Sequence, residues 1–445
     1  ITNCRFINMN PAVTGGEEQP EAIVLDTTLT PAAGAATPNV VISGNQFDCN
    51  VPTSASGAGA VAISANWTDG YTHTLTVDNN YFNNCGGNLT GALGPAIDLV
   101  LGCEGSTVRN NVFQNPAGPV YRCQKSSNVT FSDNKIIGFN AQWNVTDNQP
   151  DLIIVATSST GGDDIENVTI TGNVIDPSGS SINPPFAVNV AGHATGYIKD
   201  VEISDNTFDS TEGGISMHRC HGAIKVDRNT FDSLSSAESS IAIADARGAV
   251  FLDTLRGDEV AQGVNVILNG NTFNNCKGRM LAWDPDSVTL GADCSVRVTD
   301  NVFRLAAGTS GCVDSNLVLV TGGGSDRLTK AYASGNTYEN RFAASATLQL
   351  SGAANIWVKD VLEYGAGGGG AEGNDSNAIA QALSDLAGGE VVIPAGCGDS
   401  AGAYLIGGTQ DVQAGTTITG GGTIKTGANQ SQEPFRVNSA ANVTF

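Results

Sequence analysis

Two aspartates, Asp245 and Asp284, stand at the ends of β-rich segments that follow similar Asn-containing phrases, and paired carboxylates can carry acid–base chemistry. If those segments lie on neighbouring strands, the two side chains are ~5 Å apart. A retaining glycosidase needs that separation between its acid and its nucleophile. Repulsion would raise the pKa of one carboxyl, while Arg219 one strand away would keep the other ionised. Asp245 and Asp284 are therefore the predicted catalytic residues. Salt-bridged surface charges at turns are the competing interpretation.

The predicted pairing depends on the register between three segments, GGISMHRC, SSIAIADAR and RMLAWDPD. It sets Ile215, Ile241 and Met280 in one inward column. His218 and Trp283 then share an outward column. The next column contains Arg219, Asp245 and Asp284. A slip of one residue between segments would separate the carboxylates.

The side chains around the predicted pair are candidates for binding a carbohydrate, because they combine hydrogen-bonding groups with an aromatic face. The predicted substrate-binding residues are His218, Arg219, Arg247, Trp283 and Asp286. His218 also begins an H-x-C-H motif with Cys220 and His221, which could ligate a metal ion. No further Cys or His pair completes a coordination shell, and strand alternation sends Cys220 inward. The sequence predicts neither a metal site nor a cofactor.

The elements that must position these residues follow from a repeated phrase: a β-rich stretch, a small or polar residue, Asn, any residue, then a large apolar residue. Spacings between successive key asparagines range from 23 to 42 residues, and 23 occurs twice. The longer repeats therefore look like the minimal one plus a loop insertion. The key asparagines are Asn45, Asn80, Asn111, Asn134, Asn173, Asn206, Asn229, Asn271, Asn301 and Asn336.

Each phrase alternates apolar and polar residues with the period of a strand, as in VEISDNTF at 201–208. A minimal unit of 23 residues fits three short strands and three turns, with no room for a helix. The predicted fold is an all-β, right-handed parallel β-helix in which the asparagines form an internal amide ladder at a turn. Cys85 and Cys276 end two copies of one phrase and are predicted to be buried free thiols.

Composition excludes two classes of partner. The chain has 445 residues with 44 acidic and 21 basic side chains, which gives a net charge of −23. Nucleic acid is excluded because phosphate binding needs clustered Lys and Arg. Membrane insertion is excluded because no apolar run approaches the ~20 residues of a spanning helix. This balance suits a soluble protein outside the cell.

The pattern changes after residue 360. Ile379, Leu383 and Leu386 recur at helical spacing, which predicts a short capping helix near 376–387, and the strand EVVIP follows. The motifs of this stretch are Tyr364-Gly365-Ala366, Ala378-Ile379, Gly388-Gly389, Val391-Val392-Ile393-Pro394 and Tyr404-Leu405-Ile406. They resemble the opening segment of the pectate-lyase-3 type of pectin-lyase-like right-handed β-helices, which is common in phage tailspikes and polysaccharide-degrading enzymes. The sequence GNDSN departs from the family's Gly-Asp-Gly and paired aspartates.

The predicted domains are β-helix coils over 1–360 and a β-helix opening or capping segment over 361–445. Because that segment should come first, the chain reads either as a window on tandem β-helices or as a circularly permuted one. The resemblance implies a homotrimeric virion tailspike or surface protein that binds a cell-surface polysaccharide, and whether it also degrades that polysaccharide is left open by the sequence. A secreted polysaccharide lyase or glycoside hydrolase is one alternative, although no coil shows the Ca²⁺ ligands and basic residue of a lyase. A non-enzymatic structural or adhesion module is the other.

Overall fold

The computed structural model describes residues 1–7, 21–27, 39–50, 59–67, 73–89, 92–139, 151–157, 164–176, 186–192, 196–209, 211, 213–234, 248–253, 264–276, 279–284, 295–304, 318–320, 330–339, 348–350, 356–358, 372–385, 390–393, 403–426 and 434–437. Over residues 5–358 the chain winds through three sheets, and each coil adds strands to the first, second and third sheet in turn. Strands of successive coils pair in parallel, so the prediction of a parallel β-helix is confirmed.

Among the described residues, the first and second sheets have eleven strands each. The first contains Asn39–Ser43, Thr74–Asp78, Thr107–Arg109, Val129–Ser132, Ile165–Thr171, Ile198–Ser204, Cys220–Asp227, Val264–Asn269, Ser295–Thr299, Lys330–Ser334 and Ile356–Val358. The second contains Arg5–Ile7, Gln46–Asp48, Tyr81–Asn83, Val112–Gln114, Lys135–Ile137, Val174–Asp176, Thr207–Asp209, Thr230–Asp232, Thr272–Asn274, Val302–Arg304 and Thr337–Glu339.

The third sheet has thirteen strands, and its outer face carries the candidate site described below. Two of them, Gly86–Leu89 and Ala92–Gly94, are added in antiparallel fashion. The others are Glu21–Thr27, Gly59–Trp67, Ile97–Leu101, Tyr121–Gln124, Ile153–Ala156, Phe186–Ala191, Gly213–His218, Gly248–Asp253, Arg279–Asp284, Val318–Val320 and Leu348–Leu350.

The core is a set of side-chain columns that run along the axis. In the second sheet, the apolar residue two places after each key asparagine stacks on its equivalent in the next coil. The Phe47 and Phe82 rings lie 4.8 Å apart with an interplanar angle of 4°, and Phe231 and Phe273 lie 4.9 Å apart. Most of these coils contribute a large aromatic ring to the column. Two contribute Ile136 and Ile175 instead, and these are buried like the four phenylalanines.

The predicted asparagine ladder is continuous from Asn45 to Asn336. Asn206 shows the repeating pattern: its Oδ1 accepts from the backbone N of Asn173 at 2.9 Å, and its Nδ2 donates to Oδ1 of Asn229 at 2.9 Å. The residue before each key asparagine adopts the left-handed conformation, and the asparagine itself does not. Gly172 has a φ of 67° and Asp205 a φ of 57°. The small or polar residue of the repeated phrase therefore makes the turn, and the asparagine satisfies backbone groups of two coils.

The C-terminal part has a helix and a short stack of coils. The helix spans Glu372–Asp385, a few residues earlier than the predicted 376–387. The strands after it pair in parallel as Glu390–Val392 with Thr417–Thr419, Ala403–Ile406 with Thr423–Thr426, and Gln410–Val412 with Phe435–Val437. Asp375 and Ser376 on the helix accept hydrogen bonds from the backbone N of Leu405 and Gly407 at 2.9 and 2.7 Å.

Cys85 and Cys276 are buried free thiols, as predicted. Burial raises the pKa of the Cys85 thiol well above its ordinary value, so this group stays protonated and packs as a small apolar side chain. Within the residues described above, no helix is long and apolar enough to cross a membrane.

Candidate functional site

Polar side chains form a row on the outer face of the third sheet. Each residue of the row is the register partner of the next one, on the following coil, in the order Ser64, Asp98, Arg122, Ile154, Asn189 and Ser216. Ile154 is the one apolar residue among these six. Side chains alternate between the two faces of a strand, so the flanking residues, such as Ile153 and Val188, fill the core. We define the third-sheet site as Asp98, Arg122, Asp151, Asn189, Ser216 and His218.

One end of the site is an ion pair between neighbouring coils. Arg122 Nε donates to Asp98 Oδ1 at 2.9 Å, and Nη2 donates to Oδ2. This bidentate geometry is the strongest form of an Arg–carboxylate contact. The Asp98 side chain is only 10% exposed and that of Arg122 21%, so little water screens the pair. Burial also raises the pKa of the nearby Glu21 carboxyl, with a hydrogen bond from Ser64 opposing the shift.

The middle of the site is a carboxylate that fixes an amide. Asn189 Nδ2 donates to Asp151 Oδ2 at 2.6 Å, and the backbone N of Phe186 donates to Oδ1 at 3.1 Å. Burial is the largest cause that raises the pKa of Asp151 to about 6, while these hydrogen bonds and His218 act in the opposite direction. The Asn189 Oδ1 is buried, and among the described residues it has no hydrogen-bond partner. An acceptor of this kind is costly unless something donates to it.

The other end of the site is a serine and a histidine on one strand. Ser216 Oγ and His218 Nε2 are 2.9 Å apart, and which atom donates depends on the histidine tautomer. They lie two residues apart, so both side chains project from the outer face of the sheet. Ser216 is only 2% exposed, whereas His218 is half-buried. His218 was predicted to bind substrate, and the structure brings it to this site.

Arg219 belongs to a corner rather than to the open face. It is 6% exposed and has a φ of 52°, at the sharp turn between Gly213–His218 and Cys220–Asp227. Its guanidinium carbon lies 5.8 Å from the centroid of the Tyr197 ring, which also contacts the buried His221. Burial lowers the pKa of His221. Arg219 is therefore buried in a cation–π contact rather than exposed, and its assignment as a substrate-binding residue stays a prediction.

The register predicted for the catalytic pair is also wrong. Ile215 pairs with Val250 rather than Ile241, and Val250 pairs with Leu281 rather than Met280. The strand Gly248–Asp253 takes the place that the sequence reading gave to SSIAIADAR.

This shift changes the partner of Asp284. His218 pairs with Asp253 and Asp253 pairs with Asp284, so Asp284 shares the column of His218 rather than that of Arg219. Trp283 pairs with the buried Leu252. The predicted residues Asp245, Arg247 and Asp286 lie outside the described residues, and the catalytic role of Asp245 and Asp284 stays a prediction.

Sequence reasoning missed Asp98, Arg122, Asp151 and Asn189. Asp151 precedes its strand and has no counterpart in the repeated phrase, so coil alignment could not mark it. Asp98 and Arg122 lie in IDLVL and YRCQ, where charges interrupt apolar strands. That interruption was the available signal. Among the residues that the structure describes, no three His, Cys, Asp or Glu side chains are grouped to hold a metal ion.

Neither a known protein family nor a characterised protein matches the sequence. Two solved structures of the Streptococcus pneumoniae surface adhesin PfbA are similar to the chain. The first has 13% identity and a TM-score of 0.40, and covers 99% of this chain and 90% of that one. The second has 12% identity and a TM-score of 0.41, and covers 92% and 82% respectively. Similarity at this level does not extend to function.

Proposed function

We propose that this protein binds an extracellular polysaccharide at the third-sheet site. The observation that supports this most directly is the buried Asn189 Oδ1, an acceptor without a donor beside a serine and a histidine. A sugar hydroxyl supplies such a donor and also accepts hydrogen bonds in return. Small sets of convergent polar groups of this kind fix ligand orientation in binding sites.

The shape of the site favours a chain over a single small molecule. Asp98 and Ser216 are four coils apart in one register column, which at ~4.8 Å per coil gives a row of ~19 Å. A polymer lying along the axis meets one polar group per coil, apart from Ile154. The net charge of −23 favours a neutral glycan over a polyanion, because long-range repulsion slows the approach of acidic chains.

The test is binding to a panel of neutral polysaccharides by isothermal titration calorimetry. Asn189→Ala removes the acceptor and the contact to Asp151, and we expect affinity to fall about tenfold or more, equivalent to ~1.4 kcal/mol. Asn83→Ala is the matched control, since Asn83 Nδ2 also donates to an aspartate one coil away, Asp48 at 3.2 Å, but on the second sheet. Equal affinities for the two variants, or no binding by the wild type, would refute the proposal.

Glycoside hydrolysis is a second candidate, and one observation favours it. Asp253 and Asp284 are paired on neighbouring coils, beside His218. Their column has the ~5 Å coil spacing that suits a retaining pair. Reducing-end release by Asp253→Asn, Asp284→Asn and Asp245→Asn separates the assignments. If Asp284 acts with Asp253, the rate of reducing-end release falls about 100-fold or more in Asp253→Asn and in Asp284→Asn. Asp245→Asn then keeps the wild-type rate.

The setting remains part of the proposal. Membership of the pectate-lyase-3 family is supported by the helix at Glu372–Asp385 and the strand Glu390–Val392 that follows it. Membership of this family would imply a tailspike-like homotrimer, a domain boundary at residue 360, and a virion or extracellular location. A secreted lyase or hydrolase and a non-enzymatic adhesion module are the alternatives. Light scattering at micromolar concentration tests the trimer, and a stable monomer would contradict it.

A further inference from the structure

The Ser216–His218 contact has the geometry of a nucleophile and its base. Their 2.9 Å separation lies within the 2.6–3.2 Å range over which a general base takes a proton from a hydroxyl. With the imidazole proton on Nδ1, Nε2 accepts from the Ser216 hydroxyl. Ser204, on the same coil but in the first sheet, offers a comparison. It is also 2% exposed, yet its Oγ bonds to Thr171 Oγ1 and Glu202 Oε1, and no histidine is its partner.

A polar amide stands next to this pair. Asn189 is the register partner of Ser216 on the preceding coil, so their Cα atoms are ~4.8 Å apart. Its Nδ2 carries two hydrogens, of which one serves Asp151 at 2.6 Å. The reaction inferred below assigns the second hydrogen to the developing oxyanion, a role that side-chain amides take in other hydrolases. Asp151 is the positioning residue, because its carboxylate fixes the amide.

We propose that Ser216, His218 and Asn189 hydrolyse an acyl ester, with the O-acyl groups of a polysaccharide as the substrate class. That substrate class rests on the proposed glycan binding, whereas the chemistry itself rests on the Ser–His contact. Burial suits the reaction, since a site shielded from water strengthens the hydrogen bonds made to the oxyanion.

The reaction balances with water as the sole co-reactant. Ser216 Oγ forms a bond to the acyl carbon as His218 Nε2 takes the hydroxyl proton, and the Asn189 amide stabilises the oxyanion. The ester C–O bond then breaks, and the sugar oxygen leaves with the proton from His218. Water attacks the acyl-serine, its proton passes through His218 to Ser216 Oγ, and the carboxylic acid is released.

The experiment uses the full chain and two probes, 4-nitrophenyl acetate and a fluorophosphonate. We expect ester turnover by the wild type, with kcat/KM falling about 100-fold or more in Ser216→Ala and in His218→Ala. Ser204→Ala is the matched control and keeps wild-type turnover. The fluorophosphonate should inactivate the wild type, and peptide mapping should place the adduct on Ser216. This readout needs no variant, so it stands even if one misfolds.

Three outcomes would overturn the inference: a wild type without turnover and without adduct, an adduct on another residue, or a folded Ser216→Ala variant with wild-type kcat/KM. The outcomes also separate this inference from the proposed function. Glycan binding without ester turnover overturns the esterase alone. Ester turnover and a Ser216 adduct without binding to any polysaccharide overturn the glycan proposal and leave the chemistry standing.

Discussion

Asp151 shows how one side chain can make the stability of the whole protein depend on pH. Burial raises its pKa to about 6 from an ordinary value of 3.8, so the folded protein binds this proton more tightly than the unfolded chain does. The free energy of unfolding therefore falls as pH rises from about 4 to about 6, by on the order of 3 kcal/mol. Above that window the cost is constant.

Asp151→Asn should remove this dependence. Urea unfolding of the two proteins at pH 4 and pH 7 measures it, and we expect the wild type to lose stability between these pH values while the variant does not, apart from a constant cost for the one hydrogen bond that the amide cannot accept. Asp205→Asn is the control with the opposite sign. A hydrogen bond from Arg228 lowers the pKa of Asp205, so the stability it contributes is lost as pH falls. Parallel pH profiles for Asp151→Asn and the wild type would contradict this account.

Residue type alone reveals some members of the third-sheet site and not others. His218 stood out in the sequence because it begins the H-x-C-H motif. Asn189 and Asp151 did not, since asparagine and aspartate occur at many turns of every coil. Their significance comes from burial and from a 2.6 Å contact between coils, and neither is encoded in local spacing.

At the level of the coil, loss of an asparagine from the ladder should lower the free energy of unfolding most. Asn206 accepts from the backbone N of Asn173 and donates to the carbonyl of Ile170, both buried. We expect Asn206→Ala to lower stability by about 2–4 kcal/mol, because it leaves both backbone groups unpaired. Amide hydrogen exchange should show faster exchange in the neighbouring strands first, since a solenoid can open coil by coil.

Asn83→Ala is the control for the ladder as well, because that half-buried amide makes a single bond at 3.2 Å. Its cost should stay below about 1 kcal/mol. If Asn206→Ala and Asn83→Ala lose equal protection against amide hydrogen exchange, the ladder does not hold the coils together.

The repeated phrase was enough to predict the first and second sheets, whereas the third sheet needed the structure. Two residues separate a first-sheet strand from the next second-sheet strand, as between Ser204 and Thr207, so the register cannot slip. The number of residues between the key asparagine and the next third-sheet strand varies from coil to coil. Strand Gly213–His218 begins 7 residues after Asn206, but Gly248–Asp253 begins 19 after Asn229. Insertions of unequal length hid the pairing of Asp284, and only hydrogen bonding between coils determines it.

For the whole molecule, charge is the property that acts over the longest distance. Two ion pairs between coils, Arg228 with Asp205 and Lys199 with Glu166, are about half-exposed, unlike the shielded pair of Arg122 and Asp98. Exposed pairs of this kind contribute about 0–1 kcal/mol each. With 44 acidic against 21 basic residues, repulsion among the unmatched carboxylates outweighs them at neutral pH. The same excess keeps the molecule soluble and directs it away from polyanions.

Salt should therefore stabilise this protein at pH 7. Raising NaCl from 10 mM to 150 mM shortens the screening length from about 30 Å to about 8 Å, which weakens repulsion between distant carboxylates more than contacts within an ion pair. We expect the thermal unfolding midpoint to rise by a few degrees, as followed by circular dichroism. Near the isoelectric point of 4.3 the net charge vanishes, so the same addition should leave the midpoint unchanged or lower it. An equal rise at both pH values would mean that salt acts through water and apolar surface rather than through charge.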